Sequence, residues 1–248
     1  VTPQPHHYRL IACEILFREV CQCVSNCPDI IDVSFMPKGL HDVGEAKMCA
    51  ALQAVIDKTD PSKHEAVLMA YGLCNNGVRG LHAPVPLVIP RAHDCITLML
   101  GSRQRYAEYF DKNPGTYFKS TGWIERDTSG ANGDTSIPSQ FKMNKTYQEY
   151  VEQYGEENAQ YLMAALGDWL KNYRKFTYID TGVGDFPQYK EQTRAEAAKN
   201  GLEYEEVVGS TDLLRRLVNG QWDAVDFLVV PPARKIRVSY DEGIVDSE

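Results

Sequence analysis

Pro86-Leu-Val-Ile-Pro-Arg-Ala-His-Asp-Cys-Ile-Thr-Leu-Met-Leu100 joins a short apolar run bounded by prolines to an apolar stripe at helical spacing. Residues 86–89 predict a buried strand, and Ile96, Met99 and Leu100 predict a helix packed on a sheet. Asp94 stands at the N-cap position of that helix. Cys95 then falls in the first turn, where unpaired N–H groups and the positive end of the helix favour thiolate over thiol. With His93 two residues ahead, this corner offers a ligand pair or a nucleophile with its base. An isolated H-x-C is more often a small buried side chain beside a loop histidine, so its meaning depends on what the rest of the chain brings there.

Working outward, residues 8–13, 30–35, 66–74 and 84–89 read as strands, and residues 14–24 and 42–58 as helices between them. Ile15, Leu16, Glu19 and Val20 mark the inward stripe of the first helix; Ala46, Cys49, Ala50, Val55 and Ile56 mark that of the second. This rhythm predicts a largely parallel sheet with helical crossovers. Ligands of such sheets bind at the carboxyl ends of the strands, and three strand ends there each carry a soft ligand: Cys13, Cys74, and the His93/Cys95 pair. Asn75-Asn-Gly77 reads as a turn tolerant of positive φ.

The helix begun at Cys95 is expected to run on past Gly101 and to end near Asn113-Pro-Gly115. Tyr117, Phe118 and Trp123 then flank Lys119, Ser120 and Thr121. Residues 127–138 have the composition of an exposed loop, and residues 143–174 read as one or two helices carrying Tyr147, Tyr150, Val151 and Tyr154. Strand and helix signals resume over residues 175–180, 187–200, 204–208, 212–219 and 227–231. The fold class expected is α/β: parallel sheets with helical crossovers in two Rossmann-like lobes with a cleft between them. An N-terminal lobe over 8–128 would carry the Cys/His site, residues 129–174 would connect, and a C-terminal lobe would span 175–240. Gly182 and Gly184, in a turn after a strand, are candidates for close approach to an anionic cofactor, without the third glycine of a dinucleotide fingerprint.

A chain of 248 residues with 43% hydrophobic and 24% charged residues can bury a core without staples. Its net charge of −8 argues against a nucleic-acid partner, and no apolar run is long enough to span a membrane. Residues 1–20 lack the apolar core of an export signal, so a cytoplasmic location and reduced thiols are the expectation for the seven cysteines. Residues 1–7, with His6 and His7, read as a polar lead of no functional weight. Cys21, Cys23 and Cys27 sit on or just beyond a helix at spacings that do not converge, and with Cys49 they read as packing.

Ile11-Ala-Cys-Glu14, Tyr71-Gly-Leu-Cys-Asn-Asn-Gly77, Pro86 to Ile96 with Gly101-Ser-Arg103, Asn113-Pro-Gly-Thr116, Gly122-Trp-Ile124 and Phe227-Leu-Val-Val-Pro-Pro232 resemble the blocks of a prokaryotic domain family of unknown function, DUF1638-like, over nearly the whole chain. The resemblance implies that Cys13, Cys74, His93 and Cys95 belong to signature blocks, and it brings no reaction with it. The chain is also similar to zinc-dependent thiol methyltransferases, though only in pairing an H-x-C with a distant cysteine.

The leading expectation is a zinc-type Cys/His site, with iron or an iron–sulfur cluster also compatible with sulfur ligands. It would serve an enzyme, a transferase or lyase, that activates a thiol or water on a small molecule such as a thiol or methylated compound, in methyl, one-carbon or sulfur metabolism. Tyr71 and Glu14 are the expected proton carriers. Arg91, with Arg103 or Arg79, is the expected anion holder. Two alternatives stand beside this: a metal-free enzyme with Cys95 as nucleophile, and a non-catalytic accessory protein carrying a metal or corrinoid. An oligomer is compatible with all three.

Overall fold

The computed structural model describes residues 4–126, 151–152, 155–156 and 173–248. Strand β1 (His7–Cys13) buries Leu10, Ile11 and Ala12 completely, one after another on alternating faces, as an inner strand covered on both sides must. A 3-10 turn over Glu14–Leu16 leads into α1 (Phe17–Ser25), which turns Glu19, Val20 and Cys23 inward. Strand β2 (Ile30–Met36) is half exposed, as befits a sheet edge. Helix α2 (Glu45–Ile56) buries Met48, Leu52 and Ile56. Strands β3 (Ala66–Ala70) and β4 (Leu87–Pro90) are buried at every residue.

Beyond β4, α3 (Cys95–Leu100) is short: Gly101 at φ 75° ends it, and the Ser102 hydroxyl accepts the Arg105 N–H to start α4 (Arg103–Lys112). Strand β5 (Thr116–Ser120) and α5 (Thr121–Glu125) follow. Strand β6 (Lys175–Asp180), α6 (Pro187–Lys199), β7 (Glu203–Val208), α7 (Asp212–Val218) and β8 (Phe227–Val230) restore the alternation, and a hairpin of β9 (Ile236–Val238) and β10 (Val245–Ser247) closes the chain.

The first sheet has the order β2-β1-β3-β4-β8, with β8 antiparallel to β4 and the other pairs parallel; the second has the order β5-β6-β7, all parallel. The mixed α/β class and the mostly parallel pairing are as the sequence predicts. The chain crosses the divisions expected at 128 and 175, because β5 joins the second sheet and β8 returns to the first. On one face of the first sheet, Leu10, Leu68 and Val88 pack with Leu16 of the turn before α1, Leu98 of α3 and Leu214 of α7, and Ile179 of the second sheet joins them. On the other face, Ile11, Met69 and Ile89 pack with Leu52 of α2 and with Ile236 and Val245 of the hairpin.

Several local expectations are corrected. Ile56 is inward as expected, but the rest of the inward face of α2 is that of Met48 and Leu52, with Ala46 and Ala50 exposed, because the longer apolar side chains set the helix rotation. Strand β3 stops at Ala70; Cys74, Asn75 and Asn76 follow at φ 44°, 54° and 65°, so the left-handed turn begins one residue earlier than Asn75. His7 is the first residue of β1, not part of a loose lead. The loop expected over 127–138 lies outside the described residues, as does almost all of the helical stretch expected over 143–174. Among the described residues no helix is long and apolar enough to cross a membrane.

Candidate functional site

In the order β2-β1-β3, the chain leaves β1 to one side and later returns to its other side, which makes the β1/β3 crevice a topological switch point. Ligands of open α/β sheets bind outside the carboxyl ends of strands at such a point. Cys13 ends β1, Tyr71 to Cys74 follow β3, and His93 to Cys95 follow β4. A cavity of about 520 Å³ opens there, lined by Cys13, Cys74, His93 and Cys95 among others, with β5 contributing Tyr117, Phe118 and Lys119. The four residues singled out as ligands therefore share one cavity.

Backbone pairing holds the loops after β3 and β4 together. Leu73 donates its N–H to the Ala92 carbonyl at 2.8 Å, and Cys74 donates to the His93 carbonyl at 2.9 Å. Gly72 makes that approach feasible: a Cβ built there would stand 2.6 Å from the Asp94 nitrogen and 2.9 Å from the Ala92 oxygen. Asp94 is the N-cap expected, its Oδ1 accepting from the N–H groups of Ile96 at 3.0 Å and Thr97 at 3.2 Å. The Tyr106 hydroxyl donates to Asp94 Oδ2 at 3.2 Å. Burial pushes the Asp94 carboxyl up.

The thiols touch the cavity yet are enveloped by protein, so burial is the largest influence on each. It pushes Cys13 up to about 11, with the Glu14 charge adding to it. It pushes Cys74 up to about 12, with Cys13 adding to it. Cys95 rises well above the usual thiol range through burial first, then the charges of Asp94, Cys74 and Cys13. This overturns the expectation that the helix start favours a Cys95 thiolate: α3 has six residues, and Asp94 already absorbs two of its free N–H groups.

No three of the four cavity ligands present donor atoms all within 4.8 Å of one another; among the described residues only His7, Asp32 and His64 do. A single ion on the cavity wall would thus draw the side chains inward. Cys13, Cys74 and Cys95 are half-buried and His93 is exposed.

The other expected site residues divide. Tyr71 lines the cavity with its buried hydroxyl beside the Cys13 thiol, and burial, then the neighbouring Cys13 and Cys74, hold it as the phenol. Glu14 stands behind Cys13, its Oε1 accepting the Lys38 N–H at 2.7 Å, and does not line the cavity. Arg91 is turned away. Its guanidinium donates to the carbonyls of Ala224 at 3.1 Å, Phe227 at 3.2 Å, Gly243 at 3.0 Å and Val245, tying β8 to the hairpin. Arg103 likewise binds the Glu242 carbonyl, and Arg79 forms an exposed pair with Glu45 at 3.6 Å. The anion-holding role is therefore not met by these arginines.

Gly182 and Gly184 take positive φ of 73° and 77° after β6, outside the cavity lining, and Asp180 accepts the Gly182 N–H at 2.9 Å. An aspartate already fills the place where an anion would approach. Cys21 is exposed, Cys23 is buried, the Cys27 thiol donates to the Val218 carbonyl at 3.1 Å, and the Cys49 thiol to the Arg79 carbonyl at 3.1 Å; none lines the cavity.

Sequence reasoning missed the cationic part of the lining. Lys38 places its ammonium 4.9 Å over the Trp123 ring, and Lys119 pairs with Glu196. The signal was the run Tyr117-Phe-Lys-Ser120, whose aromatics flank a lysine at the end of a strand.

No curated protein and no solved structure matches the chain. A family model matches residues 35–218, a span that holds Cys74, His93 and Cys95 and leaves Cys13 and residues 227–232 outside it. The chain belongs to the family of that model, described as a protein of unknown function (DUF1638).

Proposed function

We propose that the chain is a metal-dependent enzyme acting on a small molecule, with Cys74, His93 and Cys95 holding a zinc-class ion and Cys13 available as a fourth ligand. The observation that carries this reading is the convergence of three thiols and one imidazole, from separate strand ends, on one cavity at the switch point. Three sulfurs and an imidazole suit zinc, and sulfur-rich sets also suit iron. A bound ion of this kind supplies acidity to a coordinated thiol or water.

The remaining lining argues for the substrate class. A cavity of about 520 Å³ suits a small molecule. Ile15, Leu40, Ile96, Met99 and Phe118 give it apolar walls, while Asn75 and Asp94 supply polar contacts. That balance fits a thiol or methylated compound with a short polar part, and chemistry of the methyl-transfer or sulfur-metabolism kind. Tyr71, kept as a phenol beside Cys13, would hold a bound substrate through a hydrogen bond from its hydroxyl. On this reading the two sheets act as Rossmann-like lobes, and the cavity is the cleft between them.

A metal-free cysteine nucleophile is disfavoured by the environment of Cys95, since burial first, and the Asp94 carboxylate beside it, oppose a thiolate. The test is metal analysis of the chain purified without oxygen, with X-ray absorption to identify donor atoms. About one zinc or iron per chain, bound through sulfur and lost in both Cys95→Ser and His93→Ala, supports the proposal. A folded wild-type chain without sulfur-bound metal, or variants that keep it in full, would overturn it.

A further inference from the structure

At the opposite end of the first sheet, about 20 Å along β1 from Cys13 at roughly 3.3 Å per residue, three residues form a second constellation. His7 opens β1, Asp32 lies in β2, and His64 lies two residues ahead of β3. We propose that His7, Asp32 and His64 form a binding site for a divalent transition-metal ion of the zinc class, separate from the cysteine cavity and built of nitrogen and oxygen donors.

Geometry comes first. His64 Nε2 stands 2.9 Å and His7 Nε2 3.2 Å from the same Asp32 oxygen, and the three donor atoms all lie within 4.8 Å of one another. In a tetrahedral zinc site with bonds of about 2.0–2.1 Å, neighbouring donors are about 3.3 Å apart. The two imidazole rings meet edge to face, centroids 5.0 Å apart and planes at 72°, so their Nε2 atoms converge without the rings stacking.

Hydrogen bonding points the same way. His64 Nδ1 lies 3.2 Å from the Asp60 carbonyl, which fixes the orientation of the ring. Nε2 is thereby turned to the Asp32 carboxylate, 2.9 Å from its oxygen, so that a nitrogen and an oxygen donor face one point. A metal-ligating histidine commonly has its second nitrogen fixed by a backbone carbonyl in this way. His7 Nε2 is itself buried with no hydrogen-bond partner among the described residues, for it faces Asp32 off the line of a hydrogen bond. A metal ion would satisfy both nitrogens at once.

Lys63 shows how the charge is balanced without metal. Its ammonium lies 2.6 Å from the same Asp32 oxygen, on a half-exposed side chain free to swing into water. Metal binding is then an exchange of one cation for another. The ligands sit on rigid neighbours: His7 accepts the Glu65 N–H on its carbonyl at 2.8 Å, and β1 pairs directly with β2 and β3. An ion here would pin the starts of three strands, leaving its fourth position to water.

The test is a Co2+ and Zn2+ titration of the full chain, read by Co2+ absorption and by the Zn2+-induced shift in Tm. Expected are visible Co2+ bands that persist without sulfur charge transfer in Cys74→Ser/Cys95→Ser and vanish when His64→Ala or Asp32→Asn is added to that background. Lys63→Met removes the competing cation at a surface position with little effect on the fold, and is expected to tighten Zn2+ binding at least tenfold. His7→Gln is expected to weaken it tenfold or more with the circular dichroism unchanged. Binding by Asp32→Asn equal to wild type, or no gain in Lys63→Met, would overturn the proposal.

Discussion

The backbone N–H of Cys74 donates to the carbonyl of His93 at 2.9 Å while Cys74 itself sits at φ 44°. A residue proposed as a ligand is thus held in left-handed backbone by the loop that carries His93 and Cys95. Such a conformation costs an L-residue about 1–2 kcal/mol. Cys74→Gly is expected to be more stable than Cys74→Ala by about 1 kcal/mol, with both losing sulfur-bound metal. Urea unfolding of the two variants checks it; equal stability would show that the turn relaxes.

Thiol reactivity follows from the same burial. Cys21, exposed on α1, is expected to be alkylated first at pH 7. Cys13 and Cys74, pushed up to about 11 and about 12, gain roughly tenfold in thiolate for each pH unit until those values are reached. Cys95 is expected to lag with them. Mass spectrometry of timed alkylation reads the order; Cys95 reacting before Cys21 at neutral pH would restore the nucleophile reading.

Gly72 is the position where a single methyl group parts the two loops. In Gly72→Ala the new Cβ meets the Asp94 and Ala92 backbone, a clash that flexible side chains cannot relieve. Overpacking of this kind costs about 1–3 kcal/mol. The expected result is a lowered Tm together with weakened metal binding, although no ligand has been altered. Retention of both would mean that the loops have slack.

Asp94 caps α3 and accepts from Tyr106. Asp94→Ala is expected to cost about 1 kcal/mol, and Asp94→Asn, itself a good N-cap, much less. Tyr106→Phe leaves the cap intact and tests whether that hydroxyl matters to Asp94. Denaturant midpoints of the three variants decide the ranking.

Glu19 is 2% exposed, with Thr181 donating to its Oε1 at 2.7 Å and Oε2 lacking a hydrogen-bond partner among the described residues. Burial raises its carboxyl. In the unfolded chain a glutamate titrates near about 4.3, so between that value and the higher folded one the native state holds more protons. Stability therefore falls as pH rises through this window and stays lowered above it. Glu19→Gln is expected to flatten the dependence and to gain on the order of 1 kcal/mol at neutral pH. Thermal melts from pH 4 to 8 measure both.

Most elements could be read from the amino-acid order because period and punctuation agree at them: Leu10 to Ala12, Val67 to Met69 and Val88 to Ile89 are apolar runs with turn residues on either side. The Asp94 cap was legible for the same reason. Strand β5 was not, since Thr116-Tyr-Phe-Lys-Ser120 lacks an apolar core and becomes a strand by pairing with β6. The direction of β8 was hidden because an apolar strand reads the same in either sense. Arg91 misled because its neighbours in sequence are at the cavity while its long side chain reaches the hairpin; Gly101 looked like a tolerated helix glycine until its φ of 75° is known. His7 and His64 are 57 positions apart, and nothing in either neighbourhood announces the other.

The return of β8 to the first sheet sets an order on assembly. Residues 227–230 complete the layer begun at residue 7, so during synthesis the flank of β4 stays bare until those residues have left the ribosome. A bare strand flank invites pairing with other molecules, and such late closure slows folding. Fragments cut before residue 227 should accordingly precipitate or recruit chaperones, while the intact polypeptide shields its own seam.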